Sequence, residues 1–336
     1  MATKTPVFER KNVLVTGGAG FIGSHLCDAL VQGHHVICMD DLSTGDVSNI
    51  QHLLQNPNFE FINHDITQPF DLKAFPELER FKVKFQGVQE IYHLACPISK
   101  KHFEDFKIAT ILTNSIGIKH VLDLAVQDKA KILYASSSAL YGPRHADRPY
   151  VAETDETHID HLTPHGAYDE GKRFSEAILF TYQDVYGLDV KIARIFRTYG
   201  PRAKIFDGNL LPDIIMQALD GRDVEIPTDD VRLGACYVSD IVDGLIRHMG
   251  SPKDTTVVNL GSDQLVLLSI MAETIIRLTD SVSKIRFVPT AQPPQEPPLP
   301  DLSRARNVLH WIPLVRMEDG LRQMIDYAQS QRQLVT

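Results

Sequence analysis

Tyr168 and Lys172 stand four residues apart in Gly166-Ala-Tyr-Asp-Glu-Gly-Lys-Arg173. On a helix that spacing puts both side chains on one face. An ammonium beside a phenol favours the phenolate, so the sequence predicts a lowered pKa for Tyr168. A phenol that exchanges its proton near neutral pH is what interconversion of an alcohol and a ketone requires. Far upstream, the glycine-rich run Thr16-Gly-Gly-Ala-Gly-Phe-Ile-Gly23 offers a place for the hydride acceptor.

These residues need elements to hold them. Short apolar runs at 13–16, 35–39, 59–63, 90–95, 131–136 and 189–196 read as strands. Helical periodicity appears at 21–30, 108–127 and 168–186 and returns at 317–331. Strands alternating with helix-length stretches imply βαβ units and a parallel, doubly wound sheet. The pattern loosens from about residue 199, and prolines gather at Pro293, Pro294, Pro297, Pro298 and Pro300, read as a rigid connecting loop rather than a partner-binding segment. The last third should hold a smaller substrate-facing part.

Gly17, Gly20 and Gly23 follow a predicted strand and open a predicted helix, the context of a dinucleotide-binding turn. The first glycine permits the tight turn, the second lets backbone approach a pyrophosphate, and the third allows close helix–strand packing. The helix N-terminus then faces the phosphate charge. Asp40 ends the second strand, where a carboxylate accepts from a ribose diol and repels a 2′-phosphate; NAD is favoured over NADP. Asp65 follows the third strand and is read either as an adenine contact or as a helix cap.

Composition excludes several classes. The net charge of −9 argues against nucleic acid or an anionic membrane as partner, and no apolar run is long enough to span a bilayer or form a signal core. Cys27, Cys38, Cys96 and Cys236 lack metal-type spacing and read as reduced thiols of a cytoplasmic protein. His158, Asp160, His161 and His165 precede Tyr168 without the spacing of a zinc site, so no metal is expected.

The glycine run with Tyr168 and Lys172 resembles the extended short-chain dehydrogenases that modify nucleotide sugars. Within that group Ile62-Asn-His-Asp-Ile-Thr67, Leu94-Ala-Cys-Pro97, the stretch around Tyr168, Ala193-Arg-Ile-Phe-Arg-Thr-Tyr-Gly-Pro-Arg202, Tyr237-Val-Ser-Asp240 and Asn259-Leu-Gly261 look most like UDP-glucuronate decarboxylases. The likeness runs over residues 11–330. It implies an α/β fold with a Rossmann-type NAD-binding domain over 1–200, rejoined by 237–265, and a C-terminal substrate domain over 201–236 and 266–336. It implies a cofactor site of Gly17, Gly20, Phe21, Ile22, Gly23, Asp40, Asp65, Ile66, Leu94, Ala95, Tyr168 and Lys172, with NAD held tightly and regenerated in each cycle. Ser137 falls on the catalytic Ser/Thr, which hydrogen-bonds the reacting hydroxyl while Tyr168 takes its proton. A homodimer through helices near 105–127 and 168–186 is also implied.

The substrate positions depart from that pattern. The family reaction oxidises C4 of a uronic acid, loses CO2 from the resulting β-keto acid and reduces the ketone again. Its carboxylate two residues after the catalytic Ser/Thr is Ala139 here, following Ser138. A 4-epimerase needs no such carboxylate, and an oxidative decarboxylase of a different hydroxy acid remains a further alternative. Arg197 replaces Asn, Asn209 and Leu233 replace Arg with Arg232 displaced by one, Asp213 replaces Asn, and His165 and Pro298 replace Arg. An arginine fork makes two charge-assisted hydrogen bonds to a diphosphate, so losing several costs a few kcal/mol of binding. Either Arg197 and Arg232 rebuild the clamp or the substrate carries less phosphate than a nucleotide sugar.

Overall fold

The computed structural model describes residues 10–98, 103–143, 149–156, 159–205, 207, 209–227, 231–289 and 298–335. Seven parallel strands form the central sheet: β1 (Asn12–Thr16), β2 (His35–Asp40), β3 (Phe59–Asn63), β4 (Glu90–His93), β5 (Lys131–Ser137), β6 (Val190–Ile195) and β7 (Val257–Leu260). Their spatial order is β7-β6-β5-β4-β1-β2-β3. The order reverses direction between β1 and β4, and ligands of doubly wound sheets bind at the carboxyl ends beside such a switch. The apolar runs are buried on both faces because helices cover both sides.

The main helices are α1 (Phe21–Leu30), α2 (Phe103–Leu112), α3 (Ile118–Asp128), α4 (Gly166–Tyr186), α5 (Leu210–Leu219), α6 (Val238–Met249), α7 (Leu268–Leu278), α8 (Ser303–Leu309) and α9 (Met317–Val335), and short strands pair in small two-stranded sheets outside the central one. One buried cluster joins α1, α6 and α8 to one face of the sheet, and a second packs α3 and the inner side of α4 on the other. A third, built from α5, α7 and α9, lies under the C-terminal part of the chain.

The stretch expected as a single helix over 108–127 is α2 and α3 joined by a π-helical turn, Thr113–Gly117. Residues 64–89 form only short turns of helix between β3 and β4. Residues 302–311, expected with the substrate part, pack against the sheet: Leu302, Ala305, Leu309 and Trp311 are buried in the first cluster. The Trp311 indole donates to the Asp240 carbonyl at 2.9 Å, which fastens α8 to α6.

Candidate active site

The turn after β1 has little room for side chains. Gly17 has φ +72°, and a Cβ there would lie 2.6 Å from the Ala95 nitrogen. A Cβ on Gly23 would lie 2.1 Å from the Gly17 carbonyl oxygen. The glycines therefore bring α1, β1 and the segment after β4 into backbone contact. Asp40 ties the turn down: its carboxylate accepts from the Ala19 amide at 3.0 Å and the Leu42 amide at 2.9 Å. Burial pushes its pKa up against those two bonds. Each carboxylate oxygen retains a free lone pair, so Asp40 can still accept from a diol.

Gly17, Gly20, Phe21, Ile22, Gly23, Asp40, Asp65, Ile66, Leu94 and Ala95 all line one cavity of about 870 Å³ at the carboxyl ends of the strands. Ser137, Tyr168 and Lys172 line the same cavity. Asp65 caps no helix: it accepts from the Thr67 amide at 2.8 Å and hydroxyl at 2.7 Å, closing a turn. A glycine cradle that a Cβ would fill, with a carboxylate at the end of β2, fits a dinucleotide.

Ser137 ends β5, and its hydroxyl accepts from the Ala139 amide at 3.1 Å. Tyr168 sits in the first turn of α4 and lines the cavity with Ser137. Lys172 follows one turn later, buried, and donates to the Ala135 carbonyl at 2.8 Å. Its ammonium lies 4.7 Å from the Tyr134 ring centre and 5.8 Å from that of Tyr168. The expected lowering of the Tyr168 pKa is not what the protein alone produces. Burial, reinforced by the neighbouring Cys96, pushes the phenol up, and the influence of Ser137 only partly opposes this. Burial also lowers the Lys172 pKa, opposed by Cys96 and Glu176.

Asn114, Ser175, Glu176 and Arg194, which pack around these residues, were not visible as site residues in the sequence. Asn114, in the π-helical turn, donates to the Thr110 carbonyl at 2.8 Å and Cys96 Sγ at 3.2 Å, and accepts from the Tyr134 hydroxyl at 2.8 Å. Ser175 of α4 donates to the Asn114 carbonyl at 2.9 Å. A Cβ on Gly171 would lie 3.1 Å from Asn114 Cβ, so small residues on α4 signal this close approach. Glu176 and Arg194 form a buried ion pair at 2.7 Å, Glu176 lying one helical turn beyond Lys172.

On the substrate side, Ser138, Ala139, Arg197 and Asn209 line the cavity with Arg202, Lys204 and Asp207. Arg197 has no hydrogen-bonding partner for its guanidinium among the described residues, and burial alone lowers its pKa. Two of the expected substrate contacts lie elsewhere. Arg232 is exposed on a two-residue strand paired with Leu267, and its neighbour Leu233 lines the cavity instead, because successive strand residues alternate faces. His165 is exposed at the start of α4, its ring 4.8 Å from that of Phe103. Asp160 and His161 are exposed as well, and His158 lies outside the described residues. Pro298 borders the cavity and Pro300 pairs with Val151, whereas Pro293, Pro294 and Pro297 lie outside the described residues.

The model of the NAD-dependent epimerase/dehydratase family matches residues 13–261. UDP-glucuronic acid decarboxylase 1 of Danio rerio is 37% identical over 324 residues, spanning 95% of this chain and 73% of its own length. UDP-glucuronic acid decarboxylase 6 of Arabidopsis thaliana is 38% identical over 315 residues, 92% of this chain and 86% of its own. Among solved structures, UDP-glucuronic acid 4-epimerase from Bacillus cereus in complex with NAD superposes with a TM-score of 0.78 at 26% identity, covering 95% of this chain and 99% of its own. UDP-glucose 4-epimerase from Thermotoga maritima with UDP-glucose gives a TM-score of 0.79 at 26% identity, covering 96% and 99%.

Proposed function

The chain belongs to the NAD-dependent epimerase/dehydratase family, and from that premise we propose that it transiently oxidises C4 of a nucleotide-linked uronic acid and releases the decarboxylated sugar. The observation that carries this reading is the meeting of Ser137, Tyr168 and Lys172 with the glycine cradle in one cavity. Gly17, Gly20 and Gly23 would admit the pyrophosphate to the N-terminus of α1, and Asp40 would accept from the adenosine ribose. When bound, NAD supplies a hydride acceptor and donor and, oxidised, a positive charge in the cavity.

Ser137 would orient the C4 hydroxyl, and Tyr168 would take its proton and return one to the ketone. Oxidation turns the uronic acid into a β-keto acid, whose carboxylate can leave as CO2 with its bonding electrons delocalised into the ketone. C5 is then protonated, and C4 is reduced. We assign the nucleotide sugar to the side of the cavity formed by residues 201–236 and 266–336, with Arg197 as partner of one anionic group. Ala139 supports a second reading, a 4-epimerase that returns hydride to the opposite face, because that outcome needs no carboxyl group beside Ser137.

The NAD-loaded chain incubated with UDP-glucuronate should release CO2 without accumulating NADH, and Tyr168→Phe should abolish turnover. Inversion at C4 without CO2 would replace the decarboxylase with the epimerase. Full activity of Tyr168→Phe would sink the acid–base assignment. A homodimer is part of the proposal: Ile108, Ile111 and Ile116 with Phe174, Phe180 and Val185 leave exposed apolar surface along α2 to α4. Sedimentation should give twice the 37.7 kDa chain mass. Four free cysteines, three of them buried, support a reducing, cytoplasmic setting.

A further inference from the structure

We infer that Glu176 and Arg194 are positioning residues, which register α4 against β5 and thereby hold Tyr168 and Lys172 opposite Ser137. The inference rests on the acid–base roles proposed above but not on the identity of the sugar. Lys172 and Glu176 are one helical turn apart on α4, so they share a face. Ser136 immediately precedes Ser137, and Arg194 is its partner across the β5–β6 ladder.

Glu176 Oε1 accepts from the Ser136 hydroxyl at 2.6 Å and from Arg194 Nε at 3.0 Å, while Oε2 accepts from Arg194 Nη2 at 2.7 Å. One carboxylate therefore clamps a helix to two adjacent strands. Arg194 Nη1 continues to the Tyr141 hydroxyl at 2.9 Å, and that hydroxyl donates to Asn259 Oδ1 at 2.8 Å on β7. The turn that follows Ser137 is thus tied into the same chain of bonds.

Ser136, Glu176, Arg194 and Asn259 are all buried. A buried ion pair gives little net stability over a well-packed apolar pair, because desolvation offsets the attraction. What it does give is direction: two parallel bonds in a fork fix the angle as well as the distance. A helix that slid by a fraction of a turn would break all three bonds to Glu176. It would also carry Tyr168 and Lys172 away from Ser137 and the Ala135 carbonyl. The negative charge of Glu176 further favours the ammonium form of buried Lys172.

The test compares the NAD-loaded chain with Glu176→Gln and with the apolar double variant Glu176→Leu/Arg194→Met, by crystallography and by the pH profile of kcat with UDP-glucuronate. In both variants the Lys172–Ala135 bond should lengthen past hydrogen-bonding range, a readout that needs no substrate. In Glu176→Gln, kcat should fall at least 10-fold with KM within two-fold, and the alkaline limb should move to lower pH as Lys172 loses its proton more easily. The double variant should recover thermal stability without recovering kcat. Ser136→Ala, which removes one hydroxyl and leaves the ion pair, should lower kcat about three-fold and covers the case in which Glu176→Gln does not fold. Folded variants with the Lys172–Ala135 bond intact overturn the inference, as does an apolar pair that restores kcat. If the unaltered chain leaves UDP-glucuronate untouched, the substrate reading fails, and the crystallographic arm still decides this one.

Discussion

Replacing Gly23 with alanine adds one methyl group at a point where α1 has nowhere to put it. Its Cβ would stand 2.1 Å from the Gly17 carbonyl oxygen, against 3.4 Å for ordinary contact, so the helix must withdraw by about 1.3 Å. The obstructing atoms are backbone, in a turn already held by the Ala19–Asp40 bond, and cannot rotate away. Amides at the N-terminus of α1 would then miss a pyrophosphate placed for 2.9 Å bonds. Losing one charge-assisted hydrogen bond costs about 1.5–3 kcal/mol, which corresponds to roughly a 10- to 150-fold weaker Kd for NAD. Isothermal titration of NAD-stripped protein measures this directly. Gly33→Ala is the control: nothing lies within 4 Å of its Cβ position, so it should leave Kd unchanged. A folded Gly23→Ala protein that binds NAD within two-fold of the parent would refute the steric argument, as would an equal loss in Gly33→Ala.

Three other perturbations have readable signs. Arg197→Ala should raise KM for the nucleotide sugar about 10- to 100-fold while leaving NAD binding unchanged if, as proposed, this cavity guanidinium, without a partner among the described residues, holds a substrate anion; an unchanged KM in steady-state assays counts against that pairing. Burial raises the Asp169 pKa to about 6, so its ionised form opposes folding above that pH, and the opposition fades as pH falls and is gone once both states are protonated, near pH 3. Thermal melts of Asp169→Asn should therefore show a higher Tm than the parent at pH 8 and little difference at pH 3. Burial lowers the His248 pKa to about 4 while its ring bonds the Ile192 and Thr256 carbonyls at 3.2 Å, so the unfolded chain takes up this proton first and stability falls from pH 6.5 towards 4. His248→Gln should flatten that decline by up to about 1.4 kcal/mol per pH unit in denaturant titrations, and an unaltered slope would exclude His248 as its source.

The strands were legible because each is a short apolar run ended by a turn, and β3 begins and ends where its pattern does. The glycines were legible because backbone geometry demands them, and Tyr168 and Lys172 because four-residue spacing puts a phenol and an ammonium on one helix face. The π-helical turn was not, since one residue of excess winding leaves the apolar period nearly unchanged. Nor was the Glu176–Arg194 pair, because a charged residue inside a helix period reads as a solvated face until the strand behind it is in place. Arg232 misled for a related reason: a shift of one residue along a strand moves a side chain to the other face.

The sheet order has a consequence for how this protein is made. β6 pairs with β5 on one edge and with β7 on the other, yet β7 begins at Val257, some sixty residues after β6 ends. At 5–20 residues per second, synthesis of that stretch takes about 3–12 s. During this interval β6, with Val190 and Ile192 destined for full burial, is an open strand edge on a nascent chain. The time between the emergence of β6 and that of β7 is therefore an interval in which the chain is exposed to mispairing. Slowing translation within residues 196–256 should raise the aggregated fraction more than slowing it after Leu260.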